Sequence, residues 1–172
     1  RAVFSGGVQF EGRGKSAING TAGTLVLDFS GQNKLSHVRA TDNLHLQHTP
    51  EQASGDAYDI TTKAMDVAVK DGKTFESAQT AGPGQIILTP QKVSQREQTT
   101  ITADQFRAEF DENNRLKSIH GEPNAKMIAR SSGQPDKVAT SRELLVNLAP
   151  GGIREILMNG AFRYDEAAGA KG

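Results

Sequence analysis

Apolar residues fall at alternate positions in four stretches of this chain: Leu25/Leu27/Phe29, Met65/Val67/Val69, Phe106/Ala108/Phe110 and Leu144/Val146/Leu148, with mostly polar residues between. A period of two sets each trio on one face of a β-strand. Each trio runs into a polar turn, Ser30-Gly31, Asp71-Gly72, Asn113-Asn114 or Gly151-Gly152, made of residue types that tolerate the positive φ of a tight hairpin. Leu35, Phe75, Leu116 and Ile153 then open the returning strands, at intervals of 40, 41 and 37 positions. Each unit next passes a small or turn-prone position, Asp42-Asn43, Gly82, Gly121 or Gly160. It re-enters an apolar stretch at Leu44/Leu46, Ile86/Leu88, Met127 or Phe162/Tyr164. The pattern predicts an all-β chain of about four repeats of about 40 residues, with strands of roughly five to eight residues.

One segment supports a rival. Thr102 with Gln105 imitates a helical capping box, and Phe106 and Phe110 are spaced as on one helix face. The equivalent positions of the other units alternate strictly, and repeats share one conformation, so strands are expected here too. Polar stretches at 49–57, 90–99 and 130–136 read as longer loops. The chain is expected to form a single domain over 1–166, with 167–172 a frayed tail that has nothing to bury. Units that are apolar on one face must cover it, and two packed sheets are the natural solution. The facing surfaces either meet fully as a plain core or stay apart and hold something apolar. A roll of this kind leaves unpaired strands at its two ends, which need a cap or another chain.

Composition narrows the functions. Twenty Lys+Arg against 20 Asp+Glu give a formal net charge of zero, without the basic footprint of a nucleic-acid binder. The absence of Cys excludes disulfides, thiolate metal sites and cysteine nucleophiles. No apolar run approaches the roughly 20 residues of a membrane-spanning helix. The chain starts Arg-Ala-Val-Phe without an initiator Met, which suggests a processed form or an excised domain, with any N-terminal signal or anchor absent from it.

Candidate chemistry is sparse. Gly12-Arg-Gly-Lys15-Ser16 ends like a phosphate loop, but Gln9 stands where its first Gly belongs and the following residues cannot open a helix. Gly82-Pro-Gly84 lacks the third Gly of a dinucleotide loop and reads as a turn. His45 and His48, three apart on an extended strand, point to opposite faces and do not share a metal. No nucleophile elbow or acid/base pair stands out, so no enzyme, cofactor or metal is expected.

The units Thr102-Ala-Asp-Gln-Phe-Arg-Ala-Glu-Phe-Asp with Leu116-Lys-Ser-Ile-His-Gly, and Thr140-Ser-Arg-Glu-Leu-Leu-Val-Asn-Leu with Ile153-Arg-Glu-Ile-Leu-Met-Asn-Gly, resemble the OstA-like repeats of the lipopolysaccharide-transport proteins. That family includes LptA, LptC and the periplasmic domain of LptD, and the resemblance covers roughly residues 16 to 166. It implies an open β-jellyroll, V-shaped in section, that works in the periplasm in outer-membrane biogenesis. It further implies an apolar groove that shields the acyl chains of lipopolysaccharide or another lipid, and edge-strand pairing with similar β-rolls, including head-to-tail oligomers. The groove would be lined by Leu25, Leu27, Phe29, Leu44, Leu46, Met65, Val67, Val69, Ile86, Leu88, Phe106, Phe110, Met127, Leu144, Val146, Leu148 and Phe162, with Lys126 and Arg130, or Arg39 and Arg163, placed to meet lipid phosphates. Gly82-Pro83-Gly84 and the small Ala78, Ala108 and Ala125 depart from the pattern. The competing expectation from the same residues is a structural β-roll with a filled core that serves as a scaffold.

Overall fold

Three long strands form the spine of the molecule: β2 (Ala17–Ser30), β3 (Lys34–Thr49) and β4 (Asp56–Lys70), preceded by β1 (Ala2–Arg13). The computed structural model describes residues 1–13, 17–50, 56–90, 98–150 and 152–166. The remaining strands are shorter: β5 (Thr74–Thr80), β6 (Gly84–Pro90), β7 (Gln98–Ala103), β8 (Gln105–Phe110), β9 (Leu116–Glu122), β10 (Ala125–Arg130), β11 (Lys137–Ser141), β12 (Glu143–Ala149), β13 (Gly152–Asn159) and β14 (Arg163–Glu166). There is no helix among the described residues, and the segment with helical spacing forms β7 and β8.

All strands belong to one antiparallel sheet, strongly curled. Its topology forks at β4. The C-terminal half of β4 (Met65 to Lys70) pairs with β5, and its N-terminal half (Asp56 to Thr62) pairs with β6. From this fork one wing continues through β5, β8, β9, β12 and β13, and the other through β6, β7, β10, β11 and β14. The chain crosses between wings at corners. In β3 the corner is Asp42-Asn43, with φ of 65° and 67°, and later ones use Gly82 (99°), Asn124 (58°) and Gly160-Ala161 (77° and 50°).

Two expectations need correction. Strands of five to eight residues hold for β5 to β13, whereas β14 has four and β1 has 12, and β2, β3 and β4 have 14, 16 and 15 because they pass through the corner unbroken. In the first hairpin the positive φ falls on Gln32 and Asn33 (55° and 58°) rather than on Ser30-Gly31. The phosphate-loop-like Lys15-Ser16, the tail at 167–172, and 51–55 and 91–97 of the expected loops lie outside the described residues.

The four hairpins share a fault in register at one place. It lies between Asp28/Phe29, Ala68/Val69, Glu109/Phe110 and Asn147/Leu148, so that Phe29 faces Leu35, Val69 faces Phe75, Phe110 faces Leu116 and Leu148 faces Ile153. The extra residue is Ser36, Glu76, Lys117 or Arg154. This explains why apolar residues on the returning strands are three apart (Leu35 and Val38, Phe75 and Ala78): a bulge absorbs one position and returns the next apolar side chain to the inner face.

Hydroxyls and close packing fix the corners. The Thr62 hydroxyl donates to the Pro83 carbonyl (3.2 Å), that of Thr80 to the Gly82 carbonyl (3.2 Å), and that of Ser141 to the Glu143 carbonyl (2.7 Å). Thr80 also accepts from the Phe106 N–H at 2.9 Å, and all three hydroxyl residues are buried. The Phe106 ring, 4% exposed, fills a slot whose walls are glycines. A β-carbon at Gly84 would stand 3.1 Å from the ring and one at Gly121 2.7 Å. Gly121→Ala is therefore expected to overpack the corner and cost about 1–3 kcal/mol, read as a lower urea midpoint. Adding Phe106→Leu should recover part of that loss, and additive effects of the two substitutions would show that ring and glycine are not coupled.

Candidate functional site

The inner faces of the two wings carry matching rungs. Across the first wing the register aligns Leu27, Val38, Val67, Ala78, Ala108, Ile119, Val146 and Ile156. Across the second it aligns Leu46, Ile60, Ile86, Ile101 and Met127. Toward the C-terminal end both rungs are bulky and the wings touch. Leu88, Ile101, Ile119, Leu144 and Val146 are at most 1% exposed. Near the middle of the first wing the rung shrinks to Ala78 and Ala108, with Ala40 in the adjacent row. There the side chains no longer reach across, and a cavity of about 300 Å3 opens.

The cavity wall is almost wholly apolar. Leu25, Met65, Val67 and Phe106 contribute from the first wing, and Leu44, Leu46, Ile60 and Ile86 from the second; Glu11, Gln79 and Thr80 are the polar side chains in its lining. Aromatic pairs border its outer side. Phe75 and Phe110, at the hairpin end of the first wing, meet edge to face with centroids 5.6 Å apart. On the second wing Tyr58 stacks on His48 at 4.1 Å with the rings 8° from parallel. Farther along, the Ile153 N–H of the first wing donates to the Asp56 carboxylate of the second at 3.2 Å, which ties the outer ends together.

The seventeen expected groove residues divide by place. Leu25, Leu44, Leu46, Met65, Val67, Ile86, Phe106 and Phe110 line the cavity. Leu88, Leu144 and Val146 lie in the closed core, against which Met127 and Leu148 pack. Val69 is buried beside its bulge, and Leu27 is half-buried opposite Val38. Phe29 and Phe162 lie on the surface, at 43% and 57% exposure. The lining also includes Phe10, Ile18, Tyr58 and Ile60, which the sequence reading passed over. The alternations Val8/Phe10 and Tyr58/Ile60 are the signal that could have found them. Phe10 lies over Gly20, where even a β-carbon would clash with its ring.

The cations proposed for lipid phosphates are partly spent elsewhere. Arg39 holds Asp66 at 2.8 Å and Arg130 holds Asp136 at 3.0 Å. A wider concavity of about 540 Å3 lies beside the corner, lined by polar residues including His45, Thr61, Gln85 and Thr102. It is on the outer face, and its Asn124 already donates to Asp104 at 2.7 Å. His45 bonds to Asp59 at 2.9 Å, whereas His48 stacks inward on Tyr58, so the two histidines do part to opposite faces.

One group of potential metal ligands was not foreseen. His120, Glu122 and Glu143 each bring a ligand atom within 4.8 Å of the others. Glu122 and Glu143 each lie one position past the Gly121–Leu144 pair that ends the β9–β12 ladder, and Arg107 stands opposite His120 on β8. These side chains could hold a divalent cation, but they project from the face of the sheet away from the cavity, and Arg107 places a fixed positive charge beside them.

His48 makes the second wing sensitive to pH. Burial pushes its pKa below the ordinary 6.5, and its buried Nδ1 has no hydrogen-bond partner among the described residues. The folded state therefore prefers neutral imidazole. The stability this contributes is complete above the unfolded-state pKa and is lost as pH falls below it, through the folded-state value. The urea midpoint should decline from about pH 7.5 to about pH 5, and His48→Phe should flatten that decline; equal slopes in the two proteins would remove His48 as its source. Tyr58, partly buried beside it, has its phenol pushed well above the ordinary range by loss of solvation.

No protein-family model, curated protein or solved structure gives a significant match to this chain.

Proposed function

We propose that the chain is a non-catalytic lipid-carrier module of the lipopolysaccharide-transport type. In this reading it is an open β-jellyroll of about four repeats that works in the periplasm, shields hydrocarbon chains between its wings and joins edge to edge with similar rolls. The observation that carries the reading is the apolar cavity of about 300 Å3 at the level of Ala78 and Ala108. A water-filled hole with such walls is unfavourable, and a bound chain of about twelve carbons would gain on the order of 10 kcal/mol gross before ordering costs.

The test is direct binding. Lipid A, or a fluorescent fatty acid, should bind the purified chain in native mass spectrometry or a fluorescence titration, and Val67→Glu, which places a charge on the half-buried cavity wall, should abolish it. No bound amphiphile, or binding unchanged by Val67→Glu, would sink the reading. The closed half of the interior, where Leu144 and Val146 have no exposed surface, favours the second reading of a filled scaffold. That reading predicts the negative result.

Edge-to-edge joining has its own support. Large exposed apolar side chains collect on the terminal strands: Val3 (59%) and Phe4 (49%) on β1, and Leu157 (43%) and Tyr164 (52%) on β13 and β14. These are the strands at the two ends of the sheet, and unlike ends that fit one another build a heterologous, growing contact. Light scattering should report a mass that rises with concentration, and Phe4→Lys should suppress the rise. A concentration-independent monomer would count against joining.

A further inference from the structure

We infer that the cavity holds one hydrocarbon chain at a time, of about twelve carbons, which enters tail first. This rests on the lipid-binding reading and narrows it.

Capacity is the first argument. An apolar protein cavity of about 150 Å3 stays dry and takes up one benzene, six carbons. At the same packing, the 300 Å3 here accommodates about twelve carbons. That is one medium-length chain, with no space for a second beside it.

Shape is the second. The cavity does not run the length of the roll. Toward the C-terminal strands it stops against Phe106, Ile86 and Ile119, which are 4%, 4% and 1% exposed, with Leu144 and Val146 packed beyond. On the outer side the Asp56 to Ile153 hydrogen bond joins the wings past the cavity. A chain can therefore enter between Phe75/Phe110 and Tyr58 and come to rest on the closed core, but it cannot thread through. The terminal methyl goes innermost, because the hydroxyl at the inner corner, Thr80, is already bonded to the Gly82 carbonyl and the Phe106 N–H, and the head stays at the outer edge.

A series of straight-chain fatty acids from about eight to about eighteen carbons, titrated calorimetrically below their micelle concentrations, tests this. The expected result is one chain per roll, with Kd falling about fourfold per added methylene to about twelve carbons and levelling beyond. Ala108→Phe, which fills the wall where the rung is small, should move the break to shorter chains while leaving the eight-carbon acid bound, which shows that the variant folds. Affinity that keeps rising to eighteen carbons, two chains per roll, or a break that Ala108→Phe does not move would overturn the one-chain capacity while leaving lipid binding in place. No binding at any length would overturn the lipid-binding reading itself, and this inference with it.

Discussion

The architecture depends on satisfying the backbone where the sheet turns. A strand that leaves one wing for the other loses ladder partners at the bend, and each unpaired group there would cost about 1–3 kcal/mol if buried dry. Thr62, Thr80 and Ser141 meet the cost from within: each is buried, and each hydroxyl donates to a carbonyl near a corner. Backbone bonds complete the job, from Ala81 to Ala64, Asp104 to Pro123 and Arg142 to Gly160. Left-handed Asp42, Asn43 and Asn124 supply the curvature without glycine, since short Asx side chains tolerate that region best.

With the corners fixed, the distance between wings is set there, and what fills the gap depends on side-chain size along each rung. Ile119 opposed by Ile101 and Leu88 closes it, and the closed half is a conventional core. Ala78 and Ala108 cannot reach, and because the corner holds the wings apart the sheet does not collapse onto them. The void is thus a product of rigidity at the bend and small side chains in one row. It sits toward the long strands, whose uninterrupted pairing resists local collapse.

The hairpins were legible because they obey local rules. Period-two trios, turn residues and the three-residue step after each turn are all present in the sequence, and the bulges at Ser36, Glu76, Lys117 and Arg154 account for that step. The all-β class followed. What escaped depends on partners far along the chain. Nothing local says that β3 runs through Asp42-Asn43 without a break, or that Leu144 and Val146 sit in the closed half while Leu25 and Val67 face space. Ala78 and Ala108 looked like weak positions in a groove, yet they are the reason space exists, since a cavity is recorded in a sequence only as missing volume. Phe29 and Phe162 fit the apolar pattern but lie beyond the reach of the opposite wing, where alternation no longer implies burial. His120, Glu122 and Glu143 meet only because β9 and β12 are neighbours 23 residues apart in number, from His120 to Glu143.

The fork at β4 bears on how such a molecule assembles. β5 and β6 both pair along the same side of that one strand, on its two halves, and every later strand is added to one wing or the other in alternation. Neither wing has a template until β4 is laid against β3. After that, each new hairpin extends the first wing and its flanking strands extend the second, so the two grow in step by nearest-neighbour addition. The order of synthesis is then also an order in which the sheet can be assembled, one pair of strands at a time.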